Sequence, residues 1–195
     1  MPFRIFVQSA PPPPPPTPVD ATFYVTANED DAFWRNTTYF SNNSTNTIFG
    51  LVPTSFNCRC FWNFSNVTIP QGATINSAYI RCQAANNQGL QFNCFIVGND
   101  IDNAVSPTSY NECEALALTS ATVDWLSVPS WLANQYYNTP GFSAVVQEIV
   151  NRPGWASGNK MLIAIKYVSA SGYRTPKSLE GGYATELHVN YTPAA

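Results

Sequence analysis

Two hydrophobic rhythms run along the chain, and they predict different elements. The commoner is strict alternation, which places every second side chain on one face of a strand. Residues 73–84 put Ala78, Ile80, Cys82 and Ala84 on one side, and residues 90–97 do the same with Leu90, Phe92, Cys94 and Ile96. The polar run Asn86 to Gly89 between them predicts a hairpin. Near the C-terminus, Met161, Ile163, Ile165 and Tyr167 alternate with Leu162, Ala164 and Lys166. The last run places Leu187, Val189 and Tyr191 together, with His188 on the other side. Shorter strands are predicted at 21–26, 47–52, 56–64 and 119–126. The second rhythm occurs once: Phe142, Val145, Val146, Ile149 and Val150 recur at helical spacing. Thr139 is the expected cap, Pro140 the first helical residue and Pro153 the stop, giving one helix over about residues 140–151. Several short strands with polar connections and a single helix read as an all-β antiparallel jelly-roll β-sandwich.

Residues 1–19 have a different composition and form an N-terminal arm, leaving 20–195 as the sandwich domain. The arm begins with an extended segment, in which Phe3, Ile5 and Val7 share one side and Phe6 the other. The uninterrupted tract Pro11, Pro12, Pro13, Pro14, Pro15, Pro16 follows. Such a tract adopts polyproline II at about 3.1 Å per residue and acts as a stiff spacer. It is either a simple tail or an arm that holds an apolar tip against a neighbour.

Composition removes some classes of function. Charged residues make up 11% of the 195-residue chain and the net charge is −3. No cluster of lysine and arginine follows a phosphate backbone, so no nucleic-acid partner is expected. No apolar run of the roughly 20 residues needed to span a bilayer occurs. The opening residues do not have the form of a secretory signal. Sequons at Asn36, Asn42, Asn43, Asn63, Asn66 and Asn190 are read as composition in a chain rich in Asn, Ser and Thr. Cys58, Cys60, Cys82, Cys94 and Cys113 lack the spacing of a zinc or dithiol redox site. Buried thiols are the favoured reading, with a Cys82–Cys94 disulfide as the alternative.

Five motifs, in order, carry a resemblance. They are NEDDAFW at 28–34, CRCFWNFSNVTIPQGATINSAYI at 58–80, VDWLSVPSW at 123–131, TPGFSAVVQEIVNRPGWASGNKMLIAI at 139–165 and GYRTPKSLEGGYATELHVNYT at 172–192. Through them the chain resembles the jelly-roll β-sandwich modules of phage structural and bacterial surface proteins, the DNRLRE-like and carbohydrate-binding-module-like sandwiches. The likeness runs from residue 22 onward and implies a fold; such modules share no one chemistry. The proline arm lies outside the module. Cys58 and Cys60 stand where the family usually has apolar residues, which implies that both are buried.

No catalytic group is expected, because His188 is the only histidine and no nucleophile sits on a strained elbow. The acidic loop Glu29, Asp30, Asp31 is a candidate for a hard cation such as Ca²⁺, with Glu180 or Glu186 completing the oxygen set. The resemblance implies an ion near the meeting of the terminal strands; a solvated loop is the alternative. Trp34, Tyr136 and Tyr137 are candidates for stacking against a sugar ring. The leading expectation is a non-catalytic virion structural protein, a phage capsid-decoration or tail-associated protein on the virion surface. Its partners would be other virion subunits or copies of itself, with Phe3, Ile5, Phe6, Val7 and Pro11 to Pro16 as the contact arm. The unaccompanied domain, the Met1 start and the lack of a signal segment lead to that expectation. A carbohydrate-binding or adhesive module, extracellular or on a cell surface, is the main rival, and a secreted glycoprotein the third reading.

Overall fold

A computed structural model describes residues 14–36, 38–170 and 172–194, with the side chains of 169 and 170 left aside. The arm segment from Phe3 to Val7 and Pro11 to Pro13 therefore lies outside the described residues. Two antiparallel sheets face each other. The smaller is four-stranded, in the order β1 (Val19–Tyr24), β12 (Glu186–Thr192), β6 (Thr74–Gln83), β9 (Tyr136–Asn138). The larger runs β11 (Tyr173–Arg174), β4 (Phe49–Val52), β5 (Phe56–Val67), β10 (Asn159–Ala170), β7 (Phe92–Asn99), β8 (Leu118–Trp125). Strand β2 (Asp31–Arg35) adds to the far edge of β5 and carries β3 (Tyr39–Ser41). Cys58 pairs with both Gly50 of β4 and Arg35 of β2, so those two strands flank opposite edges of β5. The expected all-β sandwich is what forms.

Alternation assigns the faces. In β12, Leu187, Val189 and Tyr191 turn inward, while Glu186, His188, Asn190 and Thr192 turn out. The centre of the larger sheet is buried on both sides. Met161, Ile163 and Ile165 enter the core between the sheets with Cys60, Trp62 and Phe64. Leu162, Ala164 and Phe61 join Trp34, Ala32, Val97 and Cys113 in a second cluster on the opposite face. The chain between β7 and β8 covers that cluster. It contains a short helix, α1 (Tyr110–Glu114), capped by Ser109, whose Oγ accepts the Glu112 N–H.

Two expectations are corrected. Strands β6 and β7 are not a hairpin: β6 pairs with β12 and β9, whereas β7 pairs with β10 and β8 in the other sheet. Alternation tells which side of a strand is apolar but not which strand lies beside it. Cys82 and Cys94 consequently sit in different sheets, and all five cysteines are free and buried. The single long helix forms as α2 (Ser143–Val150), but Thr139 does not cap it. Thr139 instead continues the β9 pairing, donating its N–H to Ile80 O and accepting the Ile80 N–H on its Oγ1. Helix α2 buries Val145, Val146, Ile149 and Val150 against β6, β7 and β8, closing the gap between the sheets. Gly98 makes this approach close, since a Cβ there would stand 2.7 Å from Ile149 Cδ1.

Candidate functional site

The acidic loop is divided where a 3-10 turn gives way to a strand. Asp30 ends a 3-10 turn (Asn28–Asp30) and Asp31 begins β2. Asp30 is fully buried and its carboxylate meets Lys160 Nζ at 2.9 and 3.0 Å. It also accepts from Ser106 Oγ at 2.6 Å and Ser65 Oγ at 3.2 Å. Three donor groups thus answer Asp30 through four contacts, and the ion pair lines an open cleft of about 570 Å³ shared with Glu29, Asn66 and Asn103. Buried Asn63 backs this network by donating to Ser106 Oγ and Ala104 O.

Asp31 belongs to a different environment. Its Oδ2 accepts the Leu179 N–H at 2.9 Å, while its Oδ1 and both oxygens of Glu180 are enclosed without a donor among the described residues. Burial, and after it the nearby charges of Glu180 and Asp30, push the Asp31 carboxyl up to about 7 despite the Leu179 hydrogen bond. The strap carrying Glu180 is tied to the loop before β4, with Ser178 Oγ donating to Ser44 O and Ser178 N to Thr45 O.

Calcium takes six to eight oxygen ligands. The expected set does not fit it, because Asp30 is committed to Lys160 and only Asp31 and Glu180 remain near each other. Among the described residues no three His, Cys, Asp or Glu side chains are arranged around a common ion position. Glu186 is engaged elsewhere, with Tyr183 and His188.

The candidate aromatics also separate. Trp34 is fully buried under the β7–β8 connection and donates Nε1–H to Glu114 at 2.6 Å. It is core, not platform. Tyr137 stacks on Trp131 at 4.9 Å and accepts the Leu132 N–H on its hydroxyl. Tyr136 alone stays open, at 49% exposure, beneath the Arg81 guanidinium.

Sequence reasoning missed the outer face of the four-stranded sheet. The register sets Thr22, His188 and Tyr79 side by side across β1, β12 and β6. The His188 ring stacks on Tyr79 at 4.8 Å, its Nδ1 lies 3.2 Å from Thr22 Oγ1 and its Nε2 lies 2.6 Å from Glu186 Oε2. A shallow groove of about 270 Å³ runs over these residues, with Asp20, Ser77 and Asn190 along it. The signal available was the outward parity of His188, but the strand neighbours that complete the row are distant in sequence. Thr22 lies on an extended strand, and the non-glycine residues with positive φ among the described residues, Thr38, Ser55, Asn66, Ser127 and Asn134, are all elsewhere. The row can hold an imidazole in place and offer hydroxyl, amide and carboxylate groups to a polar ligand.

No protein-family model matches this chain. No curated protein matches it. Among solved structures, a chain from the cryo-EM structure of Mud crab tombus-like virus is similar over 100% of this chain and 94% of its own, at 8% identity and a TM-score of 0.33.

Proposed function

We propose that the protein is a non-catalytic virion structural protein, a capsid-decoration or tail-associated subunit that packs against other subunits or copies of itself. The observation that carries this reading is the junction of arm and sheet. Pro14 to Pro18 are exposed and lead straight into β1, the edge strand of the smaller sheet. A stiff polyproline spacer on a sheet edge suits a contact made beyond the domain. The hydroxyl–imidazole–carboxylate row does not weigh against a non-catalytic role, because a nucleophile needs a positioned attack geometry and an oxyanion site. Thr22 has a flat strand position instead. The test is incorporation. Full-length protein and a variant lacking residues 1–18 are expressed during infection and particles are purified. The full chain is expected to copurify at fixed stoichiometry and the shortened chain to be depleted; particles free of the full chain would refute the reading.

A glycan-binding role is the second reading, favoured by the groove over Tyr79, His188, Asp20 and Asn190. Saturable binding to an immobilised glycan, lost in Tyr79→Ala and His188→Ala, would support it; no binding across a broad glycan array would reject it.

A further inference from the structure

One end of the sandwich encloses a cation with no anionic partner among the described residues. Arg174, in β11, is fully buried, yet its hydrogen bonds all go to backbone carbonyls. Nε donates to Pro129 O, Nη1 to Tyr173 O at 2.6 Å, and Nη2 to Val128 O and Pro129 O. A guanidinium has five N–H groups, so one N–H on Nη1 is unanswered among the described residues. No carboxylate is among its hydrogen-bond partners in the described residues, and burial pulls Arg174 down to about 10. Enclosing a cation without a counter-charge is unfavourable, because burial strips its hydration.

Two more donors at this end are unanswered among the described residues. Gln88 turns its Oε1 to the Thr175 N–H at 2.9 Å, leaving its enclosed Nε2 without an acceptor. Trp131 is paired with Gln88 through both backbone groups, and its buried indole Nε1–H has no acceptor either. The Trp131 ring lies 6.0 Å from the Arg174 guanidinium. Beside them opens a cavity of about 190 Å³, lined by Gln88, Arg174, Asn87, Tyr173 and Leu90. Its lining includes one exposed apolar side chain, Leu90, at 62% exposure.

We propose that this cavity binds a carboxylate carried at the end of a peptide chain, with Arg174 and Gln88 receiving the anion and Leu90 receiving the apolar residue that bears it. Arginine suits planar carboxylate recognition, and capture of a terminal carboxylate by convergent N–H donors is a recurring mode. The inference is independent of the virion reading, since it specifies ligand chemistry and not the particle.

The test is a titration of full-length ¹⁵N-labelled protein followed by NMR, watching Arg174 Nε–H and Trp131 Nε1–H, the latter assigned with Trp131→Phe. Probes are acetate, an N-acetylated tetrapeptide ending in leucine with a free carboxylate, and the same peptide as its amide. Saturable shifts of both signals with the free-acid peptide are expected, with about tenfold or greater loss of affinity for the amide. Gln88→Glu keeps the acceptor for Thr175 and supplies a resident carboxylate, so it is expected to raise the melting temperature and abolish peptide binding. The absence of a saturable shift, equal binding of acid and amide, or unchanged peptide binding by Gln88→Glu would overturn the proposal. Acetate binding as tightly as the peptide would overturn the peptide-chain assignment in favour of a free small acid.

Discussion

Replacing Asp31 by Asn tests the electrostatic reading of the β2 end. Asp31 has 1% of its surface exposed, and its carboxyl is raised from 3.8 to about 7. Between those two pH values the unfolded chain has released the proton while the folded chain still holds it. Stability from this group is therefore complete below about pH 4, falls as pH rises through the window, and levels off above pH 7. A displacement of about three pKa units corresponds to about 4 kcal/mol at neutral pH. Asparagine is nearly isosteric, does not titrate, can accept the Leu179 N–H and can donate to the unanswered oxygens of Glu180. Asp31→Asn is expected to be more stable than the parent by roughly 2–4 kcal/mol at pH 8, with no gain at pH 4. For a chain of this size that is a rise in melting temperature of roughly 10 °C. Urea denaturation at half-unit pH steps from 4 to 8, for both proteins, measures it. A variant less stable than the parent at pH 8, with a parent that gains stability across the window, would refute the reasoning. It would mean that a cation or donor answers the charge of Asp31 in the folded state.

Other predictions follow from particular contacts. Gly50 has φ +104°, and a Cβ there would stand 2.4 Å from Gly172 O and 2.7 Å from Tyr173 Cα. Gly50→Ala is thus expected to cost about 2 kcal/mol or more in chemical denaturation, and a neutral result would mean that the β4–β11 contact is looser than described. Glu148 receives the N–H groups of Ser120 and Ala121 at 2.7 Å each, where the register of β8 shifts against β7. Glu148→Ala should lower stability by about 1–3 kcal/mol and speed hydrogen exchange at those two amides, while unchanged exchange would remove this role. Burial raises all five thiols, Cys58 to about 11 and Cys94 and Cys113 to about 12, with Cys60 and Cys82 also pushed up. A thiol reagent at pH 8 should label none in the native protein and all five in denaturant; rapid native labelling would contradict the packing.

The parts of this fold that could be read from sequence are those set by local periodicity. The apolar faces of β6, β10 and β12 and of helix α2 follow from spacing alone, because one buried side imposes the period. Strand partners do not, which is why β6 and β7 look like a hairpin and lie in different sheets. Asp30 and Asp31 read as one acidic cluster, yet Asp30 is taken by Lys160, Ser106 and Ser65 and Asp31 by the Leu179 N–H, all distant in sequence. Trp34 looked available for stacking because nothing local announces that the distant β7–β8 connection covers it. Nothing in the residues around Arg174 announces that it is buried. Its burial depends on the carbonyls of Val128 and Pro129, 46 and 45 residues away.

The central claim, a structural subunit that acts through packing on a particle, is tested most directly by immunogold electron microscopy of native material with antibody to residues 20–195. The account predicts regular labelling at fixed positions on a capsid or tail. Bare particles, with label on a cell wall or free matrix, would contradict it and move the inquiry to the groove over Tyr79 and His188.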